Sequence, residues 1–92
     1  MKKMSITVSV SMQVSDFDEW KTMFDSRKSD REEAGINARA YRNVDEPNNA
    51  CAIGTALSKE VFVSFFSQPV MQEALKNAGV LGPPEIKFLE EA

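Results

Sequence analysis

Arg39, Tyr41 and Asn43 are the side chains of this sequence best suited to chemistry, because they recur at every second position. In an extended segment that spacing places all three on one face. A guanidinium, a phenol and an amide can bind and orient an enolisable substrate, so these three are our candidate catalytic residues. Tyr41 could also donate its phenolic proton to a ligand, or it could simply pack beside the turn that follows it.

The chain contains no His, and this limits the chemistry further. Ser-His-Asp and Cys-His nucleophilic sites and His-ligated metals cannot be built from it. An enzyme would have to take its proton acceptor from a carboxylate, Tyr, Cys or Lys. The lone Cys51 has no His or Lys neighbour in the sequence to activate its thiol, so we expect a buried and inert side chain.

Asp16, Asp18 and Glu19 form an acidic group without a His or Cys partner for a metal ion. The Asp16 carboxylate suits the N-cap of a helix, and Glu19 can reach back to the cap. We therefore expect these acids to start a helix, and we predict neither a metal nor another cofactor.

Arg27, Lys28 and Arg31 form a basic group further along the same predicted helix. Their aliphatic stems could cover a sheet edge while the charged heads reach water or a carboxylate. Alternatively, the three cations could form a rim that binds an anion. The sequence leaves both interpretations open.

The helix that must position these groups runs from Asp16 to Gly35. Phe17, Trp20 and Phe24 recur on it at i, i+3 and i+7, which indicates an apolar stripe facing a core. We expect Trp20 to pack in that core rather than to face a substrate. The glycine suits the left-handed conformation at the helix end.

A strand with one apolar face precedes this helix. From Met4 to Gln13 apolar and polar residues alternate strictly, the pattern of a strand buried on one side. We expect the apolar side to face the helices, so that the small hydroxyls of Thr7, Ser9 and Ser11 lie on the opposite side. These three residues and Tyr41 are our candidate ligand-binding residues; the alternative is that they only pack against a partner or touch water.

Two further strands follow, from Ile36 to Val44 and from Ala50 to Leu57. The turn chemistry of 45 to 49 between them predicts an antiparallel pair, with Arg42 and Asn43 bonding the turn backbone. The later strand contains no charged residue on either parity, which predicts cover on both faces.

The remaining elements are a helix in two pieces and a last strand. Ser58 can cap the first piece, and Pro69 ends it and begins the second. Gly82-Pro83-Pro84 then enforces an extended path into Glu85 to Glu90, a strand that we place at a sheet edge.

The predicted order is β-α-β-β-α-β, an α+β class chain with a single domain over residues 1–92. Sequential pairing and right-handed crossovers favour the ferredoxin-like split βαβ topology: a four-stranded antiparallel sheet with its helices on one face. The uncovered face would carry the chargeless strand. We therefore predict a homodimer in which two sheets oppose each other.

Composition restricts the partners. A net charge of −3 disfavours nucleic acid and anionic membranes, and no apolar run is long enough to span a bilayer. Lys2 and Lys3 precede alternating residues rather than the apolar core of a signal peptide. Together with the unpaired Cys51, this pattern leads us to expect a cytoplasmic protein.

Several segments resemble a known family: D-F-D-E-W-K-x-x-F from Asp16, A-G-I from Ala34, Y-R-N-V-D-E-P-N from Tyr41 and N-A-G-V-L-G-P-P-E from Asn77. They are similar to short bacterial members of the dimeric α+β barrel superfamily, in the antibiotic-biosynthesis-monooxygenase-like group. The resemblance implies the same fold and a dimer. It is weakly specific for function, since the superfamily includes cofactor-free monooxygenases acting on aromatic polyketides, haem-degrading enzymes, dehydratases, isomerases and members with no known activity.

Residue by residue, the resemblance implies little. Haem-degrading members use a His ligand, which this chain lacks. Monooxygenase members orient their substrate with Asn, Trp and Arg or Tyr. Trp20, Tyr41, Arg42 and Asn43 are of these types, but their positions match no motif.

Three hypotheses for function follow. The first is a homodimer that binds a small apolar or aromatic molecule in or beside the barrel. The second is an enzyme, either a cofactor-independent monooxygenase or a small lyase or isomerase. The third is a structural dimer whose barrel is filled by side chains. A titratable side chain enclosed in a pocket would favour the enzyme, a cavity lined only by hydroxyls and aliphatic side chains would favour binding, and a cavity too small for anything beyond water would favour the structural dimer.

Overall fold

Four antiparallel strands form one sheet in the computed structural model, which describes residues 5–92. Along the chain the strands are β1 (Ile6–Val14), β2 (Asn37–Arg42), β3 (Asn49–Ala56) and β4 (Val80–Leu89), and the helices are α1 (Phe17–Ser26), α2 (Lys28–Glu33), α3 (Lys59–Phe66) and α4 (Pro69–Asn77). The strand order β2-β3-β1-β4 and the placement of the helices on one face confirm the predicted ferredoxin-like architecture. The predicted first residue of β1, Met4, lies outside the described residues.

Strand β1 separates two environments. Val8, Val10 and Met12 are buried against the helices, whereas Thr7 and Ser9 are half-buried on the opposite face. Because side chains alternate along a strand, the sequence pattern alone determines this division. The helix-facing side of β1 therefore forms the floor of the core.

The predicted helix over residues 16 to 35 begins as expected and then breaks. Asp16 accepts a hydrogen bond from the Glu19 backbone N–H at 3.2 Å, which confirms the N-cap. At Arg27 the backbone leaves helical geometry with φ −102° and ψ 12°, and the chain restarts as α2. The expectation of one continuous helix is therefore wrong. The break lets Arg31 fold back onto Phe24 instead of extending past the core.

The β2–β3 hairpin is antiparallel, as predicted, but β2 ends earlier than expected, at Arg42. The backbone N–H of the next residue, Asn43, still donates to the Asn49 carbonyl oxygen at 3.1 Å, while the Asn43 side chain bonds the turn. Its Oδ1 accepts hydrogen bonds from the backbone N–H groups of Asp45 and Glu46, and Arg42 Nε donates to the Pro47 carbonyl oxygen at 3.0 Å. Both residues thus support the turn, as the sequence predicted.

The second helical pair and the last strand also follow the sequence. Ser58 caps α3 by accepting from the Val61 N–H at 3.1 Å, and Pro69 opens α4. Strand β4 lies at the sheet edge, as predicted, but begins at Val80 rather than Glu85. The Gly82-Pro83-Pro84 segment is accommodated by a register shift between Ser11 and Gln13 of β1.

The far face of the sheet has no helix over it within residues 5–92. On β3 that face carries Cys51, Ile53 and Thr55, and Ile53 is 40% exposed. In a single chain, β3 is thus covered on one face only, and its predicted cover on both faces still requires a partner. No helix in the described residues is long and apolar enough to cross a membrane.

Candidate functional site

An apolar cavity of about 50 Å³ lies between the sheet and the helices. Its floor includes Val8 and Val10 of β1, Ala52 of the adjacent β3 and Ala38 of β2 at the sheet edge. The walls come mainly from apolar side chains of α1, α3 and α4, including Trp20, Phe24, Phe62, Phe65, Met71 and Leu75. Such a lining suits an apolar ligand or an apolar part of a ligand.

Trp20 brings a buried polar atom to this part of the core. Its side chain is 1% exposed and packs between Phe17 and Phe24, with ring centroid distances of 5.6 and 5.2 Å. Core packing was the prediction for Trp20, and this burial confirms it. The indole Nε1 is buried and has no hydrogen-bond partner within residues 5–92. A buried donor of this kind normally has an acceptor, so the indole could serve a polar atom of a ligand.

Among residues 5–92, Arg31 is the only ionisable side chain that lines the cavity. It is 8% exposed, its Nη1 donates to the Phe24 carbonyl oxygen at 2.7 Å, and its Cζ lies 3.7 Å from the centre of the Phe24 ring. Burial lowers the pKa of the guanidinium below its ordinary value, although the carboxylates of Asp25, Glu32 and Asp30 act in the opposite direction. The group nevertheless remains a cation, because an arginine is not deprotonated near neutral pH.

A second, larger depression lies on the outer side of Arg31. This outer cleft has a volume of about 420 Å³ and is lined mainly by α2 and β2, including Lys28, Glu32 and Arg39. The apolar cavity and the outer cleft share four lining residues, Arg31, Ile36, Ala38 and Gly54. Arg31 therefore stands between an apolar interior and a charged opening.

The open face of the sheet holds most of the residues predicted from sequence. The strand register forms two rows across β1, β3 and β2. One row contains Ser11, Cys51 and Tyr41, and the other contains Ser9, Ile53 and Arg39. Thr7 lies on this face too, opposite Thr55. None of the predicted ligand-binding residues Thr7, Ser9, Ser11 and Tyr41 lines the apolar cavity, which is on the other side of the sheet. Their role in binding remains a prediction, because a pocket on this face needs a second sheet.

The three candidate catalytic residues are only partly brought together. Arg39 and Tyr41 share the open face, two positions apart on β2. Asn43 is occupied elsewhere: besides the turn backbone, its Nδ2 donates to Asn49 Oδ1 at 2.9 Å. Its amide thus has a structural use that the other two side chains lack.

Asn49 is a buried polar residue that the sequence interpretation missed. Its Nδ2 donates to Ser11 Oγ at 3.1 Å and to the Met12 carbonyl oxygen at 3.2 Å. In sequence it is one of two adjacent asparagines in a turn, and nothing local distinguishes it from Asn48. Only the pairing of β1 with β3 shows which of the two is enclosed.

The lone cysteine and the acidic group have ordinary surroundings. Cys51 is half-buried, with Sγ 3.9 Å from Ser11 Oγ. Asp16 caps α1, and within residues 5–92 no three His, Cys, Asp or Glu side chains come together in a way that could hold a metal ion.

Comparison with known proteins identifies the fold. No family model and no curated protein sequence matches the chain. Among solved structures, SnoaB, a cofactor-independent oxygenase from Streptomyces nogalater, superposes with a TM-score of 0.75 at 15% identity, over 96% of this chain and 93% of that chain. A protein assigned as an antibiotic biosynthesis monooxygenase from Bordetella bronchiseptica gives 0.79 at 16% identity, over 96% and 97%. One from Caulobacter crescentus gives 0.73 at 16% identity, over 98% and 92%. The predicted resemblance to antibiotic-biosynthesis-monooxygenase-like proteins is thus confirmed as a likeness of fold.

Proposed function

We propose that this protein is a homodimer that binds a small apolar or aromatic molecule in the cavity between its sheet and its helices. The observation that carries the proposal is the cavity itself, an apolar space lined in part by Trp20, whose buried Nε1 has no hydrogen-bond partner among residues 5–92. A ligand with an acceptor atom would satisfy that donor, while its apolar part would replace empty space.

The size of the cavity restricts the ligand. At about 50 Å³ it exceeds the share of one water molecule, roughly 30 Å³, but it is smaller than the engineered cavity of about 150 Å³ that holds benzene. A few heavy atoms fit without rearrangement. A ring would require side chains to move, and Met12 and Met71 in the wall are the most adaptable side chains there.

The homodimer accounts for the open face. Tyr41, Ile53 and Leu89 each expose between 40% and 48% of their surface on the side of the sheet away from the helices. A second copy of the same sheet would cover these side chains and give β3 the two-sided cover that its uncharged sequence favours. The candidate ligand-binding hydroxyls of Thr7, Ser9 and Ser11 would then lie between the two sheets.

The alternative function is a cofactor-independent monooxygenase, favoured by the fold likeness to the oxygenase SnoaB. A lyase or isomerase is a related possibility. All of these reactions need a group that accepts a proton, and the one ionisable side chain in the described cavity wall is a guanidinium, which cannot. Binding is therefore better supported than turnover. The cavity of about 50 Å³ exceeds the share of one water molecule, which in turn favours binding over a purely structural dimer.

The proposal is tested with toluene, phenol and butanol as probes. The chain has one Trp, so its indole N–H gives one cross peak in a ¹⁵N–¹H spectrum. We expect phenol and butanol to shift this peak as their oxygen accepts the hydrogen bond, and toluene to shift nearby methyl resonances.

Two matched variants locate the site. Ala38 and Ala40 are half-buried alanines of β2 that pack against the core, but only Ala38 lines the cavity. Ala38→Val should weaken binding of all three probes by filling the space, whereas Ala40→Val should leave binding unchanged. Equal effects of the two substitutions, or no binding of any probe to the parent protein, would overturn the proposal.

A further inference from the structure

We propose that the natural ligand is a small amphiphilic anion, a carboxylate with a short apolar tail, whose charged head binds Arg31 and whose tail enters the apolar cavity. This inference rests on the proposed binding function and specifies the chemical class of its ligand. It assigns Arg31, Lys28 and the outer cleft to the recognition of the head.

The position of Arg31 is the first argument. Its side chain lines both the apolar cavity and the outer cleft, so that one group can contact a ligand whose two ends differ in polarity. Arg31 as a whole residue is only 8% exposed. Burying a cation is costly, and because the carboxylates of Asp25, Glu32 and Asp30 offset only part of that cost, a bound anion would offset more of it.

The charges around the cleft are the second argument. Lys28, Arg31 and Arg39 line it against the single carboxylate of Glu32, a local excess of two positive charges in a chain of net charge −3. The nearest other acids are engaged: Asp25 pairs with Lys21 at 2.8 Å and Asp30 with Arg27 at 3.1 Å. Arg31 itself has no ion pair among residues 5–92. An anion from outside would neutralise the positive excess that Glu32 leaves in the cleft.

The volumes are the third argument. The cavity of about 50 Å³ takes only a short apolar group, whereas the adjoining outer cleft of about 420 Å³ has room for a hydrated head. A wholly apolar ligand would fill the small interior and leave the cations unused. A ligand with its apolar tail in the cavity and its charged head in the outer cleft would occupy both spaces and contact Arg31 where they meet.

The experiment compares three probes of equal chain length by calorimetric titration of the full chain: butanoate, butanol and butylammonium. We expect butanoate to bind at least about tenfold more tightly than either of the others, because a charge-assisted hydrogen bond to a guanidinium contributes that much. Added salt should weaken butanoate binding and leave butanol binding unchanged.

Arg31→Met should remove the preference for butanoate while keeping the affinity for butanol. Lys28 is exposed on α2, so Lys28→Met should leave the fold intact. This variant should weaken the binding of butanoate but not that of butanol or butylammonium. Lys76→Met is the matched control: Lys76 is exposed on α4 and lines neither the cavity nor the cleft, so its replacement should affect no probe.

The outcomes separate this inference from the function on which it rests. If butanol binds as tightly as butanoate, or if Arg31→Met and Lys28→Met both keep the preference for the anion, the assignment of an anionic ligand is overturned while binding in the cavity stands. If none of the three probes binds the parent chain at millimolar concentration, both are overturned.

Discussion

The Arg31 guanidinium covers the ring of Phe24, with its Cζ 3.7 Å from the ring centre, and Nη1 of the same group donates to the Phe24 carbonyl oxygen at 2.7 Å. The two residues are seven positions apart on either side of the helix break at Arg27. One side chain thereby joins α1 to α2 and closes one side of the apolar cavity. Its structural role and its proposed binding role can be separated by substitution.

Arg31→Met should change the free energy of unfolding by less than about 1 kcal/mol. The cation–π contact contributes about 0.5 to 2 kcal/mol and the hydrogen bond about 1.5 to 3 kcal/mol, but desolvation of an unpaired guanidinium opposes them with several kcal/mol. The Phe24 carbonyl keeps the Arg27 N–H as a donor, so the variant leaves no unsatisfied acceptor.

Urea denaturation of the parent chain and the variant measures this difference. Arg31→Ala is the comparison, and it should be less stable than Arg31→Met because it also uncovers the Phe24 ring. A loss above about 2 kcal/mol in the methionine variant would show that the guanidinium stabilises the fold outright.

Trp20→Ala should lower the free energy of unfolding by about 3 to 5 kcal/mol, the usual cost of removing a core aromatic side chain. The side chain is 1% exposed and packs on both neighbouring rings of α1. Phe17 is only half-buried, so Phe17→Ala should cost less, about 1 to 3 kcal/mol. Thermal and chemical denaturation of both variants provide the test, and a smaller loss for Trp20→Ala than for Phe17→Ala would contradict the packing described here.

The sequence predicts what depends on near neighbours. The alternation of β1, the caps at Asp16 and Ser58, the turn at residues 45 to 49 and the stop at Gly35 each depend on a few consecutive residues, and each has its counterpart in the structure. Because these elements and their order almost determine the ferredoxin-like topology, the fold could be predicted as well.

The candidate site depends instead on contacts between distant parts of the chain. The position of the apolar cavity requires residues of β1, β2, β3 and all four helices to meet, and the sequence interpretation placed the pocket on the other face of the sheet. The position of Arg31 depends on the helix break at Arg27. The sequence around Arg27 contains no glycine or proline from which this break could be predicted. Contacts between such distant segments leave no periodic pattern in the local sequence.

Asn49→Ala should destabilise the protein by about 1 to 3 kcal/mol, because it leaves the Met12 carbonyl and the Ser11 hydroxyl without their buried donor. Asn48→Ala is the matched control, since Asn48 is exposed at the neighbouring position of the same turn. Its effect should be within about 0.5 kcal/mol of zero. Hydrogen exchange at the β1–β3 ladder together with chemical denaturation distinguishes the two variants, and similar losses for both would assign the effect to the turn.

Ile53→Asp should dissociate the proposed homodimer without unfolding the subunit. Ile53 lies on β3 between Ser9 and Arg39, on the open face of the sheet. It is 40% exposed in the single chain, so an aspartate there can stay hydrated when the chain is alone. Between two opposed sheets the same carboxylate would be buried together with its copy, and an uncompensated buried charge costs several kcal/mol.

Light scattering with size-exclusion chromatography at micromolar concentration should therefore give twice the mass of one chain for the parent and the mass of one chain for Ile53→Asp, with circular dichroism unchanged. Val63→Asp is the matched control, because Val63 is 44% exposed on α3, in the helical layer away from the open face, and its variant should remain dimeric. A parent chain that already runs as a single subunit would remove the homodimer from the proposal. Equal dissociation by both substitutions would instead place the contact between subunits somewhere other than the sheet, because of the two residues only Ile53 lies on the open face.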